Sequence, residues 1–168
     1  YVGPPNSGKT HAAFEKLAGA LDGAYLAPLR LLALEGRDRL VARGVPCSLL
    51  TGEERVPADG ARAVSSTIEM VGTREVIDVA VIDEAQMIFD ASRGWAWTQA
   101  IVAVPASEVL IICSAYAVPA IENLLNLCGE RCTVLECFAC AHTQVRSRNG
   151  AGGHYLQADV EQKIADSA

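Results

Sequence analysis

Eight residues near the start of the chain have the types and spacing that hold a polyphosphate. Gly3, Pro4, Pro5, Asn6, Ser7, Gly8, Lys9 and Thr10 spell G-x-x-x-x-G-K-[ST] without a gap. The spacing has a physical reason. Glycines at both ends let backbone N–H groups converge on one phosphate. A helix opening at Gly8 adds the positive end of its dipole. Lys9 reaches the outer phosphates, and the Thr10 hydroxyl is placed to ligate Mg²⁺. The chemistry expected is therefore binding of ATP with Mg²⁺. A chance Gly-Lys-Thr turn is the competing reading. It is disfavoured by the strand-like stub at residues 1–3 and by the amphipathic stretch that follows the loop.

A second constellation closes an apolar run, Val79-Ala80-Val81-Ile82, with Asp83-Glu84-Ala85-Gln86. A phosphate-loop enzyme needs a carboxylate at the tip of a buried strand to hold the metal shell, and Asp83 fits that task. Glu84 is placed to orient or deprotonate an attacking water, which hydrolysis requires and transfer to another acceptor does not. Acidic pairs alone are common on surfaces. The preceding strand and the phosphate loop together raise this one to a catalytic candidate. The pairing makes a spatial demand: the loop and the two carboxylates should sit at neighbouring strand tips around one metal-bound triphosphate.

The elements that must position these residues follow from periodicity. A chain of 168 residues with 51% hydrophobic composition suits one domain with a full core. Aromatics are only 5%, so that core rests on Ala, Val, Leu and Ile. Short apolar runs alternate with longer amphipathic stretches, which predicts an α/β fold with a mainly parallel sheet flanked by helices on both faces. Helices are expected at residues 9–21, 31–43, 96–104 and 119–127, with Pro119 in the first turn of the last. Strands are expected at 24–27, 46–50, 63–66, 76–82 and 109–113, with 133–136 a further candidate. In the second helix Leu32, Leu40 and Val41 are expected inward and Arg37, Asp38 and Arg43 outward. Residues 51–60 are too rich in charge and turn formers to be buried. Trp95 and Trp97 read as packing rather than as base-stacking platforms. After about residue 136 the pattern fades. Residues 1–136 are thus expected to form the domain, and 137–168 a tail that reads as loop or linker, with a short helix at 160–165.

Net charge is −6, from 14 Lys and Arg against 20 Asp and Glu. A protein binding nucleic acid through bulk electrostatics should be basic, so any such contact must be local or shared with another domain. No apolar run reaches the length of a membrane span. The chain opens at Tyr1 without Met, so a leader is neither found nor excluded, and the sequence reads as a piece of something longer. Cys47 and Cys113 lie in apolar stretches and read as core residues. Cys128, Cys132, Cys137, Cys140 and His142 form a cluster whose spacing is poor for zinc.

Beyond the two phosphate motifs stand Ala27-Pro28-Leu29-Arg30-Leu31-Leu32-Ala33, Thr51-Gly52-Glu53-Glu54-Arg55-Val56, Ser66-Thr67-Ile68-Glu69-Met70 and Arg93-Gly94-Trp95-Ala96-Trp97-Thr98. That set, in that order, resembles the first RecA-like domain of superfamily-two RNA helicases of the mitochondrial degradosome type, a family with bacterial members too. The resemblance runs from Gly3 to about Glu136. It implies a motor coupling ATP hydrolysis to translocation along RNA, with DNA an open alternative, and a second RecA-like domain not in this chain. It also implies that Lys9, Asp83, Glu84 and Gln86 are catalytic and that Pro28, Arg30, Thr51, Gly52, Thr67 and Glu69 face the nucleic acid. Ser114-Ala115-Tyr116 lies where such helicases carry Ser-Ala-Thr. The expected location is a bacterial cytoplasm, or the mitochondrial matrix if the source is eukaryotic. The competing enzyme class is a thymidine kinase of the phosphate-loop type, which pairs similar motifs with a cysteine-based zinc lasso.

Overall fold

The computed structural model describes residues 1–4, 7–72, 74–138 and 144–147. A sheet of six strands forms the centre. In chain order these are β1 (Gly23–Ala27), β2 (Cys47–Leu50), β3 (Arg55–Val56), β4 (Ala63–Thr67), β5 (Ile77–Ile82) and β6 (Ala106–Ile111), arranged β3-β2-β4-β1-β5-β6. All neighbours are parallel except the short edge pair β2 and β3. Four helices cover it: α1 (Lys9–Gly19), α2 (Arg30–Ala42), α3 (Gly94–Ala103) and α4 (Val118–Leu127).

The apolar runs of the strands explain the layering. Successive side chains of a strand point to opposite faces, and a parallel sheet is covered on both. Tyr25 and Ala27 of β1, Val79 and Val81 of β5, and Leu110 of β6 join one core cluster with Phe14 and Leu17 of α1 and Leu40 of α2. Leu26 and Ile82, one residue out of phase, join a second cluster with Trp97 and Ile101 of α3 and Ile121 of α4. The domain therefore has two cores separated by the sheet.

The strand-like stub is a real partner of the sheet. Val2 bridges Cys113, just past β6, and Glu136, both in parallel sense. Its N–H donates to the Leu135 carbonyl at 2.8 Å, and its carbonyl accepts from the Cys137 N–H. Residues 135–138 form β7 (Leu135–Phe138), which pairs antiparallel with β8 (Gln144–Ser147).

Several expectations differ from what forms. Val41 is 53% exposed, not inward. The buried face of α2 is Ala33, Gly36 and Leu40, and one residue beyond Leu40 the helix has turned about 100° toward solvent. The charge-rich stretch 51–60 stays out of the core as expected except at Thr51, which is buried, and it contains the unexpected edge strand β3, whose side chains are exposed. Residues 144–147 were expected as linker but are held as β8 by main-chain pairing. β7 also crosses the boundary expected at residue 136. Trp97 is fully buried as expected, whereas Trp95 beside it is 57% exposed, because only one of two residues two apart can face the core of a helix. The expected helix at 160–165 lies outside the described residues.

Candidate nucleotide and nucleic-acid site

Every candidate residue among those described sits at the carboxyl edge of the parallel strands, where open α/β sheets present their ligand sites. Gly3 follows Val2, Pro28 follows β1, Thr51 follows β2, Thr67 ends β4, Asp83 follows β5 and Ser114 lies beyond β6.

In the phosphate loop, Gly8 adopts φ 84° and ψ 3°, a left-handed conformation that a side chain would strain, and so turns the loop into α1. Gly3 is required for a different reason: a Cβ there would lie 2.2 Å from the Cys137 carbonyl oxygen. The Lys9 ammonium donates to the carbonyls of Gly3 at 2.7 Å and Pro4 at 2.9 Å, folding back across the loop it would serve. Ser7 Oγ is buried without a hydrogen-bond partner among the described residues. An orphaned hydroxyl, a lysine engaged among the described residues by carbonyls alone, and a glycine-opened helix start form a donor set suited to phosphate oxygens. Thr10 lies in the first turn of α1. Pro5 and Asn6 lie outside the described residues.

Asp83 is buried at the tip of β5. The Tyr25 hydroxyl, one strand away on β1, donates to Asp83 Oδ2 at 2.6 Å, and the Glu84 N–H donates to Oδ1 at 2.9 Å. The Trp97 indole N–H donates to the Asp83 carbonyl at 2.9 Å. Burial pushes the Asp83 carboxyl above its ordinary range, against the pull of the Tyr25 bond and of Lys9. Burial, reinforced by the Asp83 charge, likewise raises the Tyr25 phenol.

Glu84 is the one non-glycine residue of positive φ among those described, at φ 50° and ψ 44°. A left-handed backbone for Glu costs roughly 1–3 kcal/mol and persists where the surroundings over-determine it. Here it throws the Glu84 side chain outward while Asp83 remains buried, so two adjacent acids serve different spaces. Gln86 donates to the Glu84 carboxylate, and its own Oε1 accepts from the Ser114 N–H at 3.1 Å. The tip of β5 is thereby joined to the tip of β6. The loop and the carboxylates do share one edge, but not as immediate neighbours: β6 lies between β5 and the stub at Val2. The reason is that Val2 pairs on the far side of β6.

Five of the six residues expected to face nucleic acid come together. Arg30, Thr51, Gly52, Thr67 and Glu69 line a single cleft of about 330 Å³, with Glu53 and Met70. Pro28 is buried and does not line it. Arg30 is engaged by Glu54 at 2.8 Å and Glu53 at 3.4 Å. Thr51 Oγ1 accepts from the amides of Glu53 and Glu54, so the hydroxyl also shapes its own loop. Gly52 has open space where a Cβ would stand.

Sequence reading missed Tyr25 and Arg93. The first had a signal, one polar handle in an apolar strand, which needs a buried partner. Arg93 opens the Arg93–Thr98 motif, but its side-chain hydrogen-bond partners, 24 and 65 residues distant, are not encoded by local spacing. Of the cysteine cluster, Cys137 is fully buried and Cys128 exposed, while Cys140 and His142 lie outside the described residues. Among the described residues no group of three or more His, Cys, Asp or Glu could hold a metal ion.

A glycine-bounded phosphate loop, a buried strand-tip aspartate and a two-faced parallel sheet define a RecA-like phosphate-loop NTPase domain. Solved structures agree on that fold. A hypothetical ATP-dependent RNA helicase from Sulfolobus tokodaii superposes with TM-score 0.59 at 17% identity, covering 74% of this chain and 44% of that one. The Hef helicase domain of Pyrococcus furiosus gives 0.55 at 18%, covering 74% and 32%. The chain belongs to the family of the DEXQ-box helicase domain of Suv3, whose profile matches residues 1–137. Similar curated proteins include the mitochondrial ATP-dependent RNA helicase SUPV3L1 of Homo sapiens, 46% identical over 138 residues, 80% of this chain and 18% of that protein. The mitochondrial ATP-dependent RNA helicase SUV3 of Saccharomyces cerevisiae is 40% identical over 141 residues, 81% and 19% respectively. The chain thus spans less than a fifth of the length of these relatives. The thymidine-kinase alternative finds no support in any of these matches.

Proposed function

We propose that this domain is the ATP-hydrolysing half of an RNA helicase motor. The observation that carries the reading is the junction at one sheet edge: Glu84 and Asp83 on the tip of β5, tied through Gln86 to the tip of β6, beside the strand that delivers the phosphate loop. In this reading the loop from Gly3 to Thr10 holds the phosphates of ATP. Lys9 leaves the carbonyls of Gly3 and Pro4 for the outer phosphates, and Ser7 Oγ gains the partner it lacks. The Thr10 hydroxyl and the Asp83 carboxylate hold Mg²⁺, which when bound neutralises charge on the phosphate oxygens. Glu84, exposed and backed by Gln86, takes the proton of an attacking water. Tyr25 and the Glu84 amide fix the Asp83 carboxylate, and Trp97 fixes its backbone.

The cleft of Arg30, Thr51, Gly52, Thr67 and Glu69 is assigned to the RNA backbone, with Pro28 supporting its wall. The relatives are named RNA helicases, which favours RNA over DNA. They are also named mitochondrial, which favours the matrix over the bacterial cytoplasm. A second RecA-like domain, elsewhere in a longer protein, supplies the other walls of both clefts. The tail of residues 137–168, which contains the end of β7 and all of β8, serves as the connection.

The test is thermal unfolding with ATP and Mg²⁺, together with turnover by the full-length protein. Nucleotide should raise the midpoint of the wild type and not of Lys9→Ala. Glu84→Gln should keep that shift while hydrolysis falls by at least about 10²-fold, the usual worth of a general base. Equal shifts in wild type and Lys9→Ala would remove the loop from nucleotide binding.

A further inference from the structure

Arg93 makes more connections between separate parts of the edge than any role above requires. Its Nε and Nη2 both donate to Glu69 Oε1, at 2.8 and 2.7 Å, and Nη2 also donates to the Pro28 carbonyl at 2.6 Å. One guanidinium thus ties the end of β1 to the 3-10 turn Ile68–Met70 that lines the cleft. The pair is only about one third exposed, at 34% and 31%, so solvent screens it incompletely.

The Arg93 guanidinium also lies over the Trp97 ring, its carbon 5.4 Å from the ring centre, and the ring N–H bonds the main-chain carbonyl of Asp83. The backbone beneath is rigid. The Arg93 N–H donates to Asp90 Oδ1 at 2.8 Å, and the next residue, Gly94, lies so close to the Ile88 carbonyl that a Cβ would stand 2.4 Å from it. Ile88 belongs to the 3-10 turn Ala85–Phe89 that carries Gln86. A displacement of the cleft wall at Glu69 or Pro28 therefore has a stiff route to Asp83 and to the turn behind Glu84.

We infer that Arg93 is a positioning residue that couples occupancy of the cleft by single-stranded RNA to the geometry of Asp83 and Glu84. The inference rests on the proposed motor function. It is specific to arginine, because the planar guanidinium presents Nε and Nη2 to Glu69 in a fixed fork while Nη2 also reaches the Pro28 carbonyl, a geometry that the compact ammonium of a flexible lysine does not reproduce. Without RNA, Trp97 stays buried and keeps its bond to Asp83, so unstimulated hydrolysis does not depend on Arg93.

The experiment measures ATP hydrolysis by the full-length protein with and without a single-stranded oligoribonucleotide, for wild type, Arg93→Ala, Arg93→Lys, Glu69→Gln and the Arg93→Ala/Glu69→Gln pair. In both Arg93 variants RNA-stimulated kcat should fall roughly 2- to 30-fold, the range of mutational effects on coupling between sites. The unstimulated rate and the KM for ATP should hold, and the unfolding midpoint of Arg93→Lys should stay near wild type. The double variant should lose no more stimulation than the worse single one, since both substitutions cut the same tie. Three results would overturn the inference: a parallel fall in unstimulated and stimulated rates, full stimulation reached at higher RNA concentration, or additive losses in the double variant. A wild type that hydrolyses no ATP would instead end the motor reading itself.

Discussion

Asp83 is placed where a charge is costly, and the proposed reading asks it to carry one. It is buried, and burial outweighs the opposing pull of Tyr25, the Glu84 amide and Lys9, so its folded-state pKa lies above the ordinary 3.8. For an acid shifted upward, the stabilising contribution is complete below the ordinary value and is eroded as pH climbs through the raised one. Asp83→Asn, which mimics the neutral form, should therefore melt above the wild type near neutral pH. The two curves should converge below about pH 4. Thermal melts across that range check it, and a variant less stable at neutral pH would show that the two hydrogen bonds outweigh burial. The same carboxylate was legible from sequence because an acid after four apolar strand residues has little other use. Its supports were not. Tyr25 and Trp97 reach it from positions 58 and 14 residues away, and no local spacing encodes such a meeting.

At the scale of elements, α2 shows packing overruling propensity. A glycine inside a helix costs about 1 kcal/mol against alanine, so Gly36→Ala should stabilise if only the backbone mattered. A Cβ at Gly36, however, would stand 2.4 Å from the Tyr25 ring and 3.0 Å from Ser65 Oγ. Overpacking of that kind costs typically 1–3 kcal/mol. The predicted sign is therefore destabilising, and chemical denaturation of Gly36→Ala reads it; a gain in midpoint would mean that α2 can ride outward freely. Tyr25 is also the hydroxyl that holds Asp83, so the same variant should weaken hydrolysis in the full-length protein. Helices α1, α2 and α4 and strands β1, β4 and β5 were legible to within a residue or two, because their apolar periods are clean. β3 and β8 were not, because main-chain pairing holds them and no side-chain pattern marks them. Val41 was misassigned because the burial stripe of α2 runs through a glycine and an alanine, which carry little hydropathic signal.

For the molecule as a whole, charge bounds what the domain does alone. The net charge is −6, and among the described residues the one cation lining the cleft of Thr51 and Glu69, Arg30, is already paired with Glu53 and Glu54. Binding of a single-stranded oligoribonucleotide to this chain by itself should be weak. Its affinity should also depend only gently on salt, with a logarithmic slope of magnitude about 1, as expected for one or two phosphates at about 0.7 each. A slope near 5, measured by fluorescence anisotropy across a salt series, would locate a basic surface beyond the described residues.

Residue 2 and residue 137 are main-chain neighbours, and the Cys137 carbonyl roofs Gly3. During translation residues 1–3 therefore wait, without their outer strand, until the ribosome has released more than a hundred residues beyond them. A nascent chain halted before Leu135 should hold residues 1–3 on one side only, against Cys113, and leave them protease-sensitive even where the rest of the sheet has already formed.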